Sequence, residues 1–126
     1  MMYEVGLSTN FVAFHEMPGV EGPEGELHSH DYRLDVVVSS SSLDERGMVC
    51  DLDVLDDALN KTVAIVSHEN LEVIRPPDAE AVTVEVVARW AHTQLARDLP
   101  PESGLAVRVW ESAHAFGGYS APITNS

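Results

Sequence analysis

Two histidines, His28 and His30, stand i, i+2 at the head of the run Tyr32-Arg33-Leu34-Asp35-Val36-Val37-Val38. That run is rich in β-branched and aromatic residues. Polar residues at 31, 33 and 35 give it the alternation of a half-buried strand. Side chains of a strand alternate faces, so the two imidazoles point to the same side. Two imidazoles on one face are two-thirds of a three-histidine metal site, and the question is whether a third exists. A second chemical feature is Glu111, a carboxylate that ends the otherwise apolar row Leu105, Val107 and Val109.

The chain that must position these groups has 126 residues, the length of one domain covering 1–126, and its 44% hydrophobic content suffices for a real core. No apolar run is long enough to span a bilayer, so no membrane partner is expected. Met1-Met2-Tyr3-Glu4 lacks the basic and apolar regions of a signal peptide. The single cysteine, Cys50, leaves no intrachain disulfide and points to a reducing compartment, so the expected location is cytoplasmic. With 21 acidic residues against 7 basic ones, the formal charge is −14. Phosphate backbones would repel such a chain, which excludes nucleic acid as a partner class.

Tyr3 to Phe14 alternates as a first strand, with a bulge expected near Ser8-Thr9-Asn10. It carries His15 on its inward face beside Phe11 and Ala13. Met17 to Gly25 holds two prolines and three glycines and is a loop. The second strand runs from about Leu27 to Ser40. Asp51 is placed to cap a helix over about 52–65, with Leu52, Leu55, Leu59 and Val63 at helical spacing. Pro76-Pro77 keeps Val66 to Val82 irregular. Thr83 caps a second helix over about 84–98, whose inward stripe is Val84, Val87, Ala88, Ala91 and Leu95. His92 lies off that stripe and is expected to be exposed. Leu105 to Glu111 is the third strand. Gly117-Gly118 breaks the following segment, and Tyr119 to Pro122 forms a short fourth strand. The order ββααββ predicts an α+β fold, a four-stranded antiparallel sheet with two helices inserted between strands 2 and 3 on one face.

Five landmarks now stand in order. They are Phe11-Val12-Ala13-Phe14-His15, His28-Ser29-His30, Gly47-Met48-Val49-Cys50-Asp51-Leu52, Thr83-Val84-Glu85-Val86-Val87-Ala88 and Val109-Trp110-Glu111-Ser112. Together they resemble the 6-pyruvoyl-tetrahydropterin synthase / 6-carboxy-tetrahydropterin synthase family over nearly the whole chain. The resemblance implies a tunnelling fold, in which such sheets trimerise into a barrel and two trimers stack into a homo-hexamer with active sites between subunits. It implies a zinc ion held by His15, His28 and His30. It further implies a small-molecule dihydropterin whose amino-pyrimidine edge is held by Glu111, with Thr83 or its neighbours helping. Three neutral imidazoles leave a fourth tetrahedral position open, which is the catalytic rather than the structural zinc arrangement.

The family's usual reaction removes a side-chain proton from 7,8-dihydroneopterin triphosphate and eliminates triphosphate. Its base is a cysteine four residues before the His-x-His pair, activated by an Asp-His pair after the first helix. Here Glu24 occupies the cysteine position, and Ser67-His68 stands where the Asp-His pair belongs. The two departures fit one another. A thiol needs an activating base, whereas a carboxylate is already ionised at neutral pH. Glu24 is therefore the candidate base, and His68 a candidate acid or water-orienting group. Some relatives with glutamate in this slot are associated with cleaving the side chain between its first two carbons, yielding 6-hydroxymethyl-dihydropterin. Triphosphate elimination, side-chain cleavage and non-catalytic binding of pterin or zinc all remain open from the residues alone.

Overall fold

The computed structural model describes residues 1–124. Strand β1 (Tyr3–His15) and strand β2 (His28–Ser40) pair antiparallel without interruption from Tyr3↔Ser40 to His15↔His28. The expected bulge near residues 8–10 is absent. Thr9 continues the inward parity between Leu7 and Phe11 as a half-buried polar residue, so the ladder has no extra residue to absorb. Helix α1 (Leu52–Val66) starts at Asp51, whose carboxylate accepts the Asp53 N–H at 2.8 Å. It buries Leu55, Ala58, Leu59, Thr62 and Val66. Leu52, assigned to the stripe from its spacing, is exposed because it opens the first turn ahead of the buried face.

Between the helices, Leu71–Ile74 forms one 3₁₀ turn capped by Asn70, in a segment that is otherwise irregular as expected. Helix α2 (Val84–Ala96) is capped by Thr83, whose Oγ1 accepts the Val86 N–H at 3.2 Å. Strand β3 (Gly104–Trp110) ends one residue before Glu111. Strand β4 (Phe116–Pro122) begins earlier than expected, because Gly117 and Gly118 lie inside it. A Cβ at Gly117 would stand 2.6 Å from Val84 Cγ2 and 2.8 Å from the Glu85 nitrogen. Glycine there lets the strand pass tight against the start of α2.

The sheet order is β1-β2-β3-β4, and both helices cover one face. The core lies between them, built from alternate residues of each strand, among them Phe11, Ala13, Tyr32, Leu34, Val36, Val107 and Val109. His92 belongs to this interior, against the expectation of exposure. It is buried, its Nε2 lies 3.0 Å from the Ala121 carbonyl, and its ring meets Tyr119 edge-on. Its amphipathic ring fills the side of α2 that faces β4, a strand absent from the stripe argument.

The opposite face carries a polar network. Asp35 accepts from Ser8 Oγ at 2.6 Å and Trp110 Nε1 at 2.8 Å, and pairs with Arg33 at 3.2 Å. Burial alone would raise the Asp35 pKa, but the bonds from Ser8 and Trp110 and the Arg33 charge outweigh it and hold the carboxyl below its usual value. No helix among the described residues is long and apolar enough to cross a membrane.

Candidate active site

The β1–β2 register builds one corner of the helix-facing sheet surface. His15 pairs with His28, Ala13 with His30, and Phe11 with Tyr32. These six residues have inward parity, so they form three rows on one face. Ala13, opposite His30, adds almost no bulk and leaves room for the ring beside it. One ligand atom from each of His15, His28 and His30 lies within 4.8 Å of the others. Ring centroids stand 4.4 Å apart for His15–His28, 4.7 Å for His28–His30 and 5.1 Å for His15–His30.

Tautomers follow from the partners. His28 Nδ1 lies 2.7 Å from the Glu26 carbonyl, which only accepts, so Nδ1 carries the proton and Nε2 presents its lone pair. His30 Nε2 lies 3.0 Å from His28 Nε2. His15 is 7% exposed, and neither of its nitrogens has a hydrogen-bond partner. The Val82 backbone lies against the His15 ring without a hydrogen bond of ordinary geometry. Burial lowers the His15 pKa, and the His28 and His30 rings add to the shift. Val82 and the Glu111 charge oppose it without reversing it. A metal ligand must be a neutral imidazole with a free lone pair, and His15 meets both conditions. The donor set therefore fits a metal ion.

The structure brings Glu24 to this corner. It lies in a single 3₁₀ turn, Pro23–Gly25, whose Glu24 carbonyl accepts from the Met17 N–H at 3.1 Å. Its Oε2 reaches within 3.5 Å of His28 Nε2 while the side chain stays 68% exposed. Glu111, half-buried, sits at the far end of the same surface, and its charge acts on both His15 and Tyr32. Thr83 is half-buried and follows Val82 in the chain, so the start of α2 converges on the histidines. Its oxygen is engaged in capping, which leaves its O–H free to donate.

His68 is not brought to the cluster. Among the described residues no hydrogen bond or ion pair links it to the three histidines or to Glu24. It is exposed on the outer edge of β1, where its N–H donates to the Val12 carbonyl at 2.6 Å. Its φ is 60°, in the left-handed region that few non-glycine residues adopt. A broad groove of about 940 Å³ lies elsewhere, between α2 and β4, and is lined by His92, Arg97 and Tyr119. It is open, and it contains none of the three clustered histidines. Tyr32 was absent from the sequence-derived site. Its strand parity, two residues beyond His30, was the available signal.

Residues 4–122 match the sequence model of the 6-pyruvoyl tetrahydropterin synthase family. The chain belongs to the 6-pyruvoyl tetrahydropterin synthase family. That membership places it among the lyases of pterin metabolism. No curated protein sequence matches the chain. Its fold is that of the solved 6-pyruvoyl tetrahydropterin synthases. The Caenorhabditis elegans protein superimposes with a TM-score of 0.73 at 20% identity, over 96% of each chain. The Plasmodium vivax protein gives 0.79 at 14% identity, over 98% of this chain and 99% of that one. Two Plasmodium vivax variants, in which a glutamate described as a catalytic residue is replaced by alanine or cysteine, each give 0.76 at 14% identity over the same shares.

Proposed function

We propose that this family member is a zinc-dependent lyase acting on the side chain of 7,8-dihydroneopterin triphosphate or a related dihydropterin. The observation that carries the reading is the meeting of His15, His28 and His30 within 4.8 Å, with the Glu24 carboxylate 3.5 Å from His28. His15, His28 and His30 would hold the zinc, which when bound supplies a Lewis acid that lowers the pKa of a side-chain hydroxyl. Glu24 takes the side-chain proton as general base. It needs no activating partner, and its exposed position leaves it free to swing onto a substrate. A Plasmodium vivax relative whose catalytic residue is a glutamate supports this role.

Glu111 holds the pterin by its adjacent ring N–H and amino donors, a two-pronged match for a carboxylate. Thr83 O–H adds a donor from the start of α2. His68 orients water or returns a proton. Standing on the outer edge of β1, it would reach a site across a boundary between copies, in keeping with the trimer-based homo-oligomer that the family resemblance implies. Product chromatography of zinc-loaded protein incubated with 7,8-dihydroneopterin triphosphate tests the reading. A 6-pyruvoyl product signifies triphosphate elimination. A 6-hydroxymethyl-dihydropterin product signifies cleavage between the first two side-chain carbons, which the glutamate at position 24 also favours. Unchanged substrate, and no turnover of any dihydropterin offered, would leave a pterin- or zinc-binding protein instead.

A further inference from the structure

Among the described residues, the buried side-chain polar atoms without a hydrogen bond are both nitrogens of His15 and the hydroxyl of Tyr32. A metal would account for one His15 nitrogen and the Val82 backbone lies beside the ring, but nothing yet accounts for the phenol. Tyr32 is 1% exposed, and its ring is fixed from three sides. It stacks on Phe11 at 5.2 Å, and it meets His30 at 5.6 Å and His15 at 6.3 Å edge-on. Leaving a buried hydroxyl unpaired is destabilising, and phenylalanine would fill the same space without that cost. The hydroxyl is therefore not explained by stability.

The register says what it faces. Leu34 pairs with Val109 and Arg33 with Trp110, the last pair of the ladder, so one further step of the same register would set Tyr32 opposite Glu111, whose charge acts on the phenol. Directly opposed side chains on one face are close neighbours. Glu111 lies just past the end of β3, in a turn closed by its own N–H on the Ala115 carbonyl at 3.1 Å, so its side chain is not locked by the ladder. A neutral phenol beside a carboxylate has one favourable orientation, with the O–H toward the negative charge.

We propose that Tyr32 is a positioning residue whose O–H donates to the Glu111 carboxylate when a pterin is seated, aiming Glu111 at the ring donors. The inference rests on Glu111 being the pterin anchor. Tyr32 thereby joins the anchor to the histidine corner, since its ring lies edge-to-face with His30 and His15. It does not touch the reacting atoms.

The test is fluorescence titration of zinc-loaded protein with 7,8-dihydroneopterin, run on wild type, Tyr32→Phe, Glu111→Gln and the double variant, with zinc content and Tm recorded for each. Tyr32→Phe should keep its zinc and match or exceed the wild-type Tm, yet bind the pterin on the order of ten-fold more weakly. The double variant should bind no more weakly than Glu111→Gln alone, because the hydroxyl acts only through that carboxylate. Unchanged affinity in Tyr32→Phe overturns the inference while leaving the pterin reading intact. Losses that multiply in the double variant, or a fall in Tm or zinc with Tyr32→Phe, overturn it as well. Failure of the wild type to bind 7,8-dihydroneopterin overturns the functional reading itself and this inference with it.

Discussion

The strand-borne and loop-borne halves of the site are built differently. His15, His28 and His30 sit on paired strands, where the ladder fixes their spacing to one face and burial removes water from His15. Glu24 sits on a one-turn 3₁₀ segment and His68 on an exposed left-handed residue, neither braced by the core. Groups that must hold an ion in fixed geometry are placed on rigid elements. Glu24, the proposed base, instead keeps an exposed side chain on its short turn. On the proposed roles, holding and reacting fall on different elements, and variants should separate in the same way.

The largest effect belongs to the rigid half. His15→Ala should weaken zinc binding at least about 100-fold and abolish turnover with it, as metal analysis after gel filtration would show. Zinc retained at one per chain would mean that the histidine corner is not the metal site. Glu24→Gln comes next. It should lower turnover about 10²- to 10⁴-fold while zinc content and Tm stay at wild-type values, since the side chain is mostly exposed. Loss of zinc in that variant would erase the division between holding and reacting.

His68→Asn, which keeps a residue tolerant of the left-handed backbone, should cost less, no more than about 100-fold in kcat, with Tm unchanged. The smallest catalytic effect is expected on the outer face. Asp35→Asn should leave turnover intact and lower stability by about 1–3 kcal/mol in urea unfolding at pH 7. The Asp35 pKa is depressed in the fold, so the unfolded chain binds its proton first as pH falls. Its contribution is present above the ordinary value of 3.8 and is lost as pH drops through the lower folded value. The stability gap between wild type and Asp35→Asn should therefore close below pH 3.8.

Most of the strand half was legible in the residues. Period-two alternation put His28 and His30 on one face and His15 beside Phe11 and Ala13, and the ladder preserves both parities. The ββααββ order and both helix caps were legible too, through Asp51 and Thr83. The failures share a physical origin in contacts between distant segments. Gly117 looked like a breaker because its reason, the close passage against Val84 and Glu85, lies more than 30 residues away in the chain. His92 looked exposed because the burying partner is β4, not the helix's own stripe. The relation of Tyr32 to Glu111 needs the β2–β3 register, which no local pattern encodes.

The claim that one carboxylate anchors and another reacts is tested most directly by a crystal structure of the zinc-loaded protein soaked with 7,8-dihydroneopterin. The account predicts zinc on His15, His28 and His30, the pterin's ring donors on Glu111, and a Glu24 carboxylate oxygen about 3–3.5 Å from the first or second side-chain carbon or its hydroxyl. A bound pterin with Glu24 turned to solvent and another side chain in that position would contradict it.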